Sequence, residues 1–327
     1  MNSTLTQVAD LPVLAGNDMA SLHDLGEGVV VFRIHTKMNT FDPGVLDLLD
    51  QVLDDAGQGY RAMVLANDDP RAFSAGADLT FFTRMIDSPG GADKIGAYGQ
   101  RGQGLFVRMM HAPVPVVAAV QGFALGGGCE FQMHADATIA LSAAPIGLPE
   151  AGIGLVPGWG GCTRLYARAL AADPAANTVV LACRAFGPLF SGRIAADAAE
   201  ARGMGLLRPT DSIIADMVAL LSAAKARALS LVPGYRAPVP IALPVAGAEG
   251  IAPILATLQG NDTLSATDLE VAARLATILT GGPDARTHVA EADMMALEVQ
   301  TLAELVAWAP VRARIDHMLA TGQRLRN

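Results

Sequence analysis

Lysine is scarce. The 327-residue chain holds three, Lys37, Lys94 and Lys225, and its net charge is −9. It therefore lacks the basic face that a phosphate backbone requires, which excludes broad nucleic-acid binding. A grip on one phosphorylated small molecule would fall mostly to arginine or to main-chain N–H groups. Cysteine is equally sparse: Cys129, Cys162 and Cys183 are odd in number and show no metal-ligand spacing. This excludes a disulfide framework and a zinc cluster, and suits a reducing compartment. No apolar run approaches the ~20 residues of a membrane span, and the opening residues lack a basic start followed by an apolar core. A soluble cytoplasmic protein without a membrane partner is expected. Three catalytic signatures are also missing. There is no G-x-G-x-x-G spacing, no Gly-Lys pair of the Walker type and no G-x-S-x-G elbow, so dinucleotide binding, P-loop chemistry and elbow hydrolysis are not indicated.

Hydrophobic residues make up 51% of the chain, enough for a substantial core. Strand-like runs occur at "GVVVFRIH" (28–35), "AMVLA" (62–66), "PVPVVAAV" (113–120) and "ATIAL" (137–141). Between the first two, "DPGVLDLLDQVLDDA" (42–56) has helical spacing and an Asp-Pro start. Strands alternating with helices predict an α/β layered core. Residues 211–230 predict a long helix opened by Asp211-Ser212, 231–250 an extended Pro- and Gly-rich connector, and 251–322 further helices broken at Gly260-Asn261 and Gly281-Gly282-Pro283. The expected division is an N-terminal extension over 1–23, a core over 24–210 and a helical C-terminal region over 211–327.

Three stretches carry candidate chemistry. "GFALGGGCE" (122–130) sets three glycines between a predicted strand and a predicted helix. Glycine allows close backbone approach, and a helix N-terminus offers unpaired N–H groups, so the stretch suits an oxyanion site. A tight, closely packed strand–helix turn accounts for the same residues. Glu130 follows in an apolar setting that favours proton transfer near neutral pH, although a carboxylate there also complements the helix dipole. Glu150, in "IGLPEAGIGLVPGWGG" (146–161), is a second isolated acid, and two such carboxyls suit acid–base work. "RAFSAGADL" (71–79) reads as a turn. His134, four residues after Glu130, reads as a core or a solvent-facing histidine that could share Glu130's face, and Cys129 as a small buried filler with no assigned base.

Taken in order, "RAFSAGADL", "VQGFALGGGCEFQMHADATIA" and "GLPEAGIGLVPGWGG" resemble the crotonase superfamily, the enoyl-CoA hydratases in particular. "HTKMN", "AAKARAL", "PGYRAP" and "IDHMLATGQRLRN" are similar, more narrowly, to the C-terminal hydratase part of bacterial fused 3-hydroxyacyl-CoA dehydrogenase/enoyl-CoA hydratases, with no dehydrogenase ahead of residue 24. The resemblance implies a crotonase-like ββα spiral core with a helical C-terminal region. It implies a hydro-lyase adding water to a trans-2-enoyl-CoA in fatty-acid β-oxidation. The alternatives it leaves are a Δ3,Δ2-enoyl-CoA isomerase, another acyl-CoA enzyme of the superfamily, or a CoA-binding scaffold subunit. Residue by residue, it implies an oxyanion hole from the N–H groups of Ala77 and Gly127, Glu130 activating water, Glu150 protonating Cα, and Gly158 N–H holding the water. Lys37, Met38 and Asn39, with Ala75, Asp78 and Leu79, would line the CoA moiety, and Phe81, Phe82 and Met85 the acyl chain. His35-Thr36 stands where Arg-Pro is usual, and Trp159 where many relatives have a small residue. No metal or redox cofactor is implied, CoA being part of the substrate. The expected assembly is a homo-oligomer, a trimer or dimer of trimers, and a separate 3-hydroxyacyl-CoA dehydrogenase is a conceivable partner.

Overall fold

Runs of Val, Ile and Ala without polar alternation suit strands covered on both faces. The computed structural model describes residues 6–327 and forms strands at all four such runs. By chain contact the described residues fall into two units. The first takes the chain up to Asp78, Gly104–Gly147 and Ile194–Val239; the second takes Leu79–Gln103, Leu148–Arg193 and Pro240–Asn327.

In the first unit the strands are, in chain order, β1 (Val13–Gly16), β2 (Ala20–Gly26), β3 (Val29–Ile34), β4 (Ala62–Leu65), β5 (Ala72–Ser74), β6 (Val116–Val120), β7 (Phe123–Leu125), β8 (Ala137–Leu141), β9 (Ile146–Gly147), β10 (Ile194–Ala195) and β11 (Ser212–Ile214). Among the described residues, seven form one sheet in the order β1-β2-β3-β4-β6-β8-β11. It is antiparallel through β3 and parallel from β3 onward. The other four form a smaller sheet in the order β10-β9-β7-β5. Three times the chain leaves a strand of the large sheet, turns into a strand of the small one and then enters a helical turn: β4 to β5, β6 to β7 and β8 to β9. This is the strand–strand–helix winding that the resemblance implies.

Packing explains the large sheet. On one face the helix Leu220–Leu231 lays Leu220, Ala224 and Ala228 against Val29, Val31, Val64, Val117 and Ile139, all buried. Alanine at i and i+4 lets the helix axis approach the strands closely. Elsewhere the Phe131 ring gathers Phe32 at 6.3 Å, Phe41 at 5.1 Å, Phe73 at 6.2 Å and Phe106 at 5.0 Å. Phe32 lies on β3 and Phe73 on β5, so one side chain ties both sheets to the short helix Gly127–Met133. Burying such a ring contributes about 2–3 kcal/mol, with about 0.5–1.5 kcal/mol more for a well-placed aromatic pair.

The helix expected over 42–56 forms as Pro43–Asp54, and Asp42 caps it by accepting from Val45 N–H. The helix expected from Asp211 does not start there. Residues 212–214 pair with β8 as strand β11, and the helix begins at Leu220. Asp211 is buried and its carboxylate accepts from the N–H groups of Thr138 and Arg208. It acts as a strand-edge clamp rather than a helix cap.

The second unit is helical. Its helices include Leu79–Ile86, Gly161–Ala172, Thr178–Ser191, Ile251–Ala256, Ala266–Leu279, Glu291–Val306 and Ala309–Thr321. Short strands Ala242–Pro244 and His288–Ala290 pair antiparallel. Gly260, Gly281 and Gly282 take positive φ at the expected breaks. Ser265 and Asp268 form a reciprocal capping box on Ala266–Leu279.

Candidate active site

The glycines of the first unit are placed by close approach, not by flexibility. Gly126 caps the helix Gly127–Met133 at φ 53°, ψ −125°, a conformation that side chains oppose. A Cβ on Gly128 would meet Ser74 O at 2.2 Å, and one on Gly76 would meet Gly127 N at 2.8 Å. The strand end 74–76 and the helix start 126–128 are therefore packed backbone to backbone. This brings the segment carrying Ala77 beside Gly127. Among the described residues, neither the Ala77 nor the Gly127 N–H donates to a main-chain carbonyl. Main-chain N–H groups at the start of a helix are the kind of donor that an oxyanion site uses.

The Lys37–Asn39 turn joins the same cluster. Ala75 N–H donates to Met38 O at 3.1 Å, and Phe41 N–H to Gly76 O at 2.9 Å. Met38 and Asn39 both adopt positive φ, 55° and 52°. Asparagine tolerates that region, while a methionine there is strained by about 1–3 kcal/mol. Asn39 is buried and its amide donates to Ala72 O at 2.6 Å, so it braces β5. Lys37 is exposed, Ala75 and Asp78 half-buried.

Glu130 lies one turn into the helix and is only 2% exposed. Its N–H donates to Gly126 O at 2.9 Å, and its carbonyl accepts from His134 Nδ1 at 2.8 Å. That bond fixes the hydrogen of His134 on Nδ1. Cys129 is fully buried, as expected of a small filler, and His134 is fully buried too, in the core and not facing solvent. Gln132 links the helix outward, donating to Leu206 O and accepting from Thr138 Oγ1, each at 2.9 Å.

In the second unit Glu150 opens the 3-10 turn Glu150–Ile153, which ends at left-handed Gly154. The loop 156–161 then leads into Gly161–Ala172, with Gly160 at φ 103° as cap. Gly158 is buried, and its carbonyl accepts from Gln103 Nε2 at 3.2 Å. Trp159 packs against Gly102, where a Cβ would come within 2.4 Å of its ring, and its ring lies 5.5 Å from Tyr98. Tyr98 in turn meets Phe81 edge-on at 5.5 Å. Leu79 begins the helix Leu79–Ile86; Phe82 is buried on it, and Phe81 and Met85 are half-buried. Sequence reasoning missed Gln103 and the buried Glu298, whose carboxyl accepts from Gly160 N–H and Thr163 N–H. The signal for Glu298 was an acid inside the apolar face set by Met295, Val299 and Leu302. Among the described residues no cluster of His, Cys, Asp and Glu could hold a metal ion, and no helix is long and apolar enough to cross a membrane.

Comparison with known proteins follows the same lines. The family model described as Enoyl-CoA hydratase/isomerase matches residues 24–229. A "Probable 3-hydroxyacyl-CoA dehydrogenase" of Bacillus subtilis (strain 168) is 32% identical over 322 residues, 96% of this chain and 40% of that protein. A "Probable enoyl-CoA hydratase" of the same organism is 36% identical over 140 residues, 42% of this chain and 52% of that protein. The chain thus aligns with about half or less of the length of these curated relatives. Among solved structures, an enoyl-CoA hydratase/isomerase from Mycobacterium paratuberculosis superposes with a TM-score of 0.60 at 18% identity, over 92% of this chain and 98% of that one. An enoyl-CoA hydratase from Bacillus anthracis gives 0.56 at 20% identity, over 94% and 99%. At such identities the likeness speaks for the fold.

Proposed function

The chain belongs to the enoyl-CoA hydratase/isomerase family, and from that premise we propose that it adds water across the double bond of a trans-2-enoyl-CoA to give a 3-hydroxyacyl-CoA. The observation that carries this reading is a nearly buried glutamate one turn beyond two main-chain donors, with a second acid, Glu150, in the glycine-rich turn. Glu130 takes a proton from water while the hydroxyl oxygen bonds to the β-carbon. The double-bond electrons move toward the thioester oxygen, where the Ala77 and Gly127 N–H groups receive the growing charge. Each such donor is worth about 3 kcal/mol in the transition state. Glu150 then gives its proton to Cα, and the thioester carbonyl reforms. Gly158 N–H holds the water. Lys37, Met38, Asn39, Ala75, Asp78 and Leu79 line the CoA moiety, and Phe82 borders the acyl chain. No cofactor enters this scheme.

Two carboxyls favour hydration over double-bond migration, which needs only one proton-carrying group. The product is a 3-hydroxyacyl-CoA, the substrate named in the description of the dehydrogenase relative, so a dehydrogenase would consume it in β-oxidation. A homo-oligomeric assembly belongs to the same proposal. The test is a series of 2-enoyl-CoA substrates of increasing chain length, followed by loss of the conjugated enoyl-thioester absorbance and mass identification of the product. Gain of one water is expected. No change across the series would refute the reading, and conversion of 3-enoyl-CoA alone would establish the isomerase instead.

A further inference from the structure

We infer that Glu298 is a positioning residue for the Gly158 loop, and through that loop for the water consumed in the proposed hydration, on which this inference rests. Glu298 sits on the helix Glu291–Val306 and is 0% exposed. It falls three residues after Met295 and four before Leu302, in the middle of an apolar face. A carboxyl group in such a place is costly unless donors meet it. Here they do. Oε2 accepts from Gly160 N–H at 3.0 Å; Oε1 accepts from Thr163 N–H at 2.8 Å and from Thr163 Oγ1 at 2.5 Å.

These donors belong to the cap and first turn of Gly161–Ala172. The cap residue is a glycine with no side chain to satisfy that turn. Glu298 performs the capping from another helix, and so anchors the C-terminal end of the 156–161 loop.

Gln103, on the helix Gly91–Met110, ties the middle of the loop to Glu291–Val306. Gln103 Nε2 donates both to Gly158 O at 3.2 Å and to Met295 O at 2.9 Å, one turn before Glu298. One turn after it, the Leu302 side chain lies where a Gly158 Cβ would stand, at 2.6 Å. Gly158 is thus fixed through its carbonyl, through its Cα face and, two residues on, through the Gly160 N–H. The Gly158 N–H belongs to the neighbouring, planar 157–158 peptide. With the 158–159 peptide and the Gly158 Cα held, only rotation about the Gly158 φ and ψ is left to aim it, and the packing around the loop narrows that rotation. A donor oriented before substrate arrives needs no reorganisation during reaction. Two of the three loop contacts, from Glu298 and Leu302, come from Glu291–Val306. The third comes from Gln103, which also donates to that helix at Met295 O, so the loop is tied to Glu291–Val306 both directly and through Gln103.

Glu298→Gln replaces one acceptor oxygen with an amide that faces a donor. The expected result is a fall in kcat for hydration of roughly 10- to 100-fold, the size of effect a misplaced positioning group produces, with KM within about twofold. Gln103→Leu releases the Gly158 carbonyl and should act in the same direction, about fivefold. A second readout separates positioning from general damage. Exchange of the Cα hydrogen of a saturated acyl-CoA in D2O, followed by mass spectrometry, uses the thioester site and a Cα base but adds no water to carbon. It should stay within about twofold of wild type in both variants. Hydration kinetics equal to wild type in both variants would overturn the inference, as would hydration and exchange falling together. If Glu298→Gln does not fold, Gln103→Leu decides alone. A wild-type protein that hydrates no 2-enoyl-CoA would remove the reading beneath the inference, and the inference with it.

Discussion

The two units present their functional groups by different means. The first relies on main chain: Gly76, Gly126 and Gly128 let β5 and the helix Gly127–Met133 touch backbone to backbone, and N–H groups are what that contact displays. The second relies on buried polar side chains: Glu298 and Gln103 hold the Gly158 loop, and Arg314, 1% exposed, holds Asp268, Ser265 and Asn327. A main-chain donor is deleted only by proline; other substitutions can only displace it. Substitutions in the first unit should therefore act through volume, and those in the second through polar groups left unsatisfied.

The largest effect cuts across that contrast, because it removes chemistry from either side. Glu130→Gln and Glu150→Gln, both nearly isosteric, should each lower hydration kcat by roughly 10²- to 10⁴-fold with melting temperature almost unchanged. Calorimetry beside steady-state kinetics checks both halves of that statement. Next comes Arg314→Met, which leaves Asp268 and Ser265 without their guanidinium. A stability loss of about 3 kcal/mol is expected, read from denaturant midpoints; a neutral result would show that the network adds nothing to the second unit. Gly128→Ala follows, at about 1–3 kcal/mol for an overpacked methyl, because its Cβ would sit 2.2 Å from Ser74 O. Activity should fall with it, since the intrusion parts the two segments that carry Ala77 and Gly127.

The smallest predicted effect concerns acid. Burial raises the Asp268 carboxyl, but Ser265 and Arg314 outweigh burial and hold it below the ordinary value of 3.8. Its stabilisation is present above that value and is lost as pH falls through the folded one. Asp136 goes the other way. Burial outweighs the Val116 N–H, the Tyr235 hydroxyl and Arg208, and the carboxyl rises above 3.8. Its favourable contribution exists below that value and disappears as pH climbs through the folded one. Asp268→Asn should accordingly flatten the acid loss of stability, and Asp136→Asn should steepen it. Urea midpoints between about pH 3 and 6 test the pair, a window set by the ordinary carboxylate value; parallel slopes would erase the contrast.

The sequence was legible where one segment carries its own signal. Val29–Ile34, Ala62–Leu65, Val116–Val120 and Ala137–Leu141 read as strands because both faces are apolar, and Asp42-Pro43 marked a helix start that the structure keeps. The β1–β2 hairpin was missed because "VLAGNDMASLHDLG" mixes turn residues with a short polar alternation. The small sheet escaped notice for another reason. Its strands are two or three residues long, and three of the four lie inside the glycine motifs, too short for any period to show. Of the site, Glu130 and Glu150 stood out as isolated acids in apolar text. Glu298 carries the same local signal on its apolar helix face, but no motif surrounds it, and what gives it a role is contact with residues more than a hundred positions away.

Both glutamates serve one hydration in the proposed mechanism, and a single kinetic comparison tests that most directly. Wild type, Glu130→Gln and Glu150→Gln are assayed on paired 2-enoyl- and 3-enoyl-CoA substrates of equal chain length. The predicted result is rapid hydration of the 2-enoyl thioester by wild type and near silence from either variant. Full turnover of the 3-enoyl substrate by Glu130→Gln, with no hydration by wild type, would contradict it.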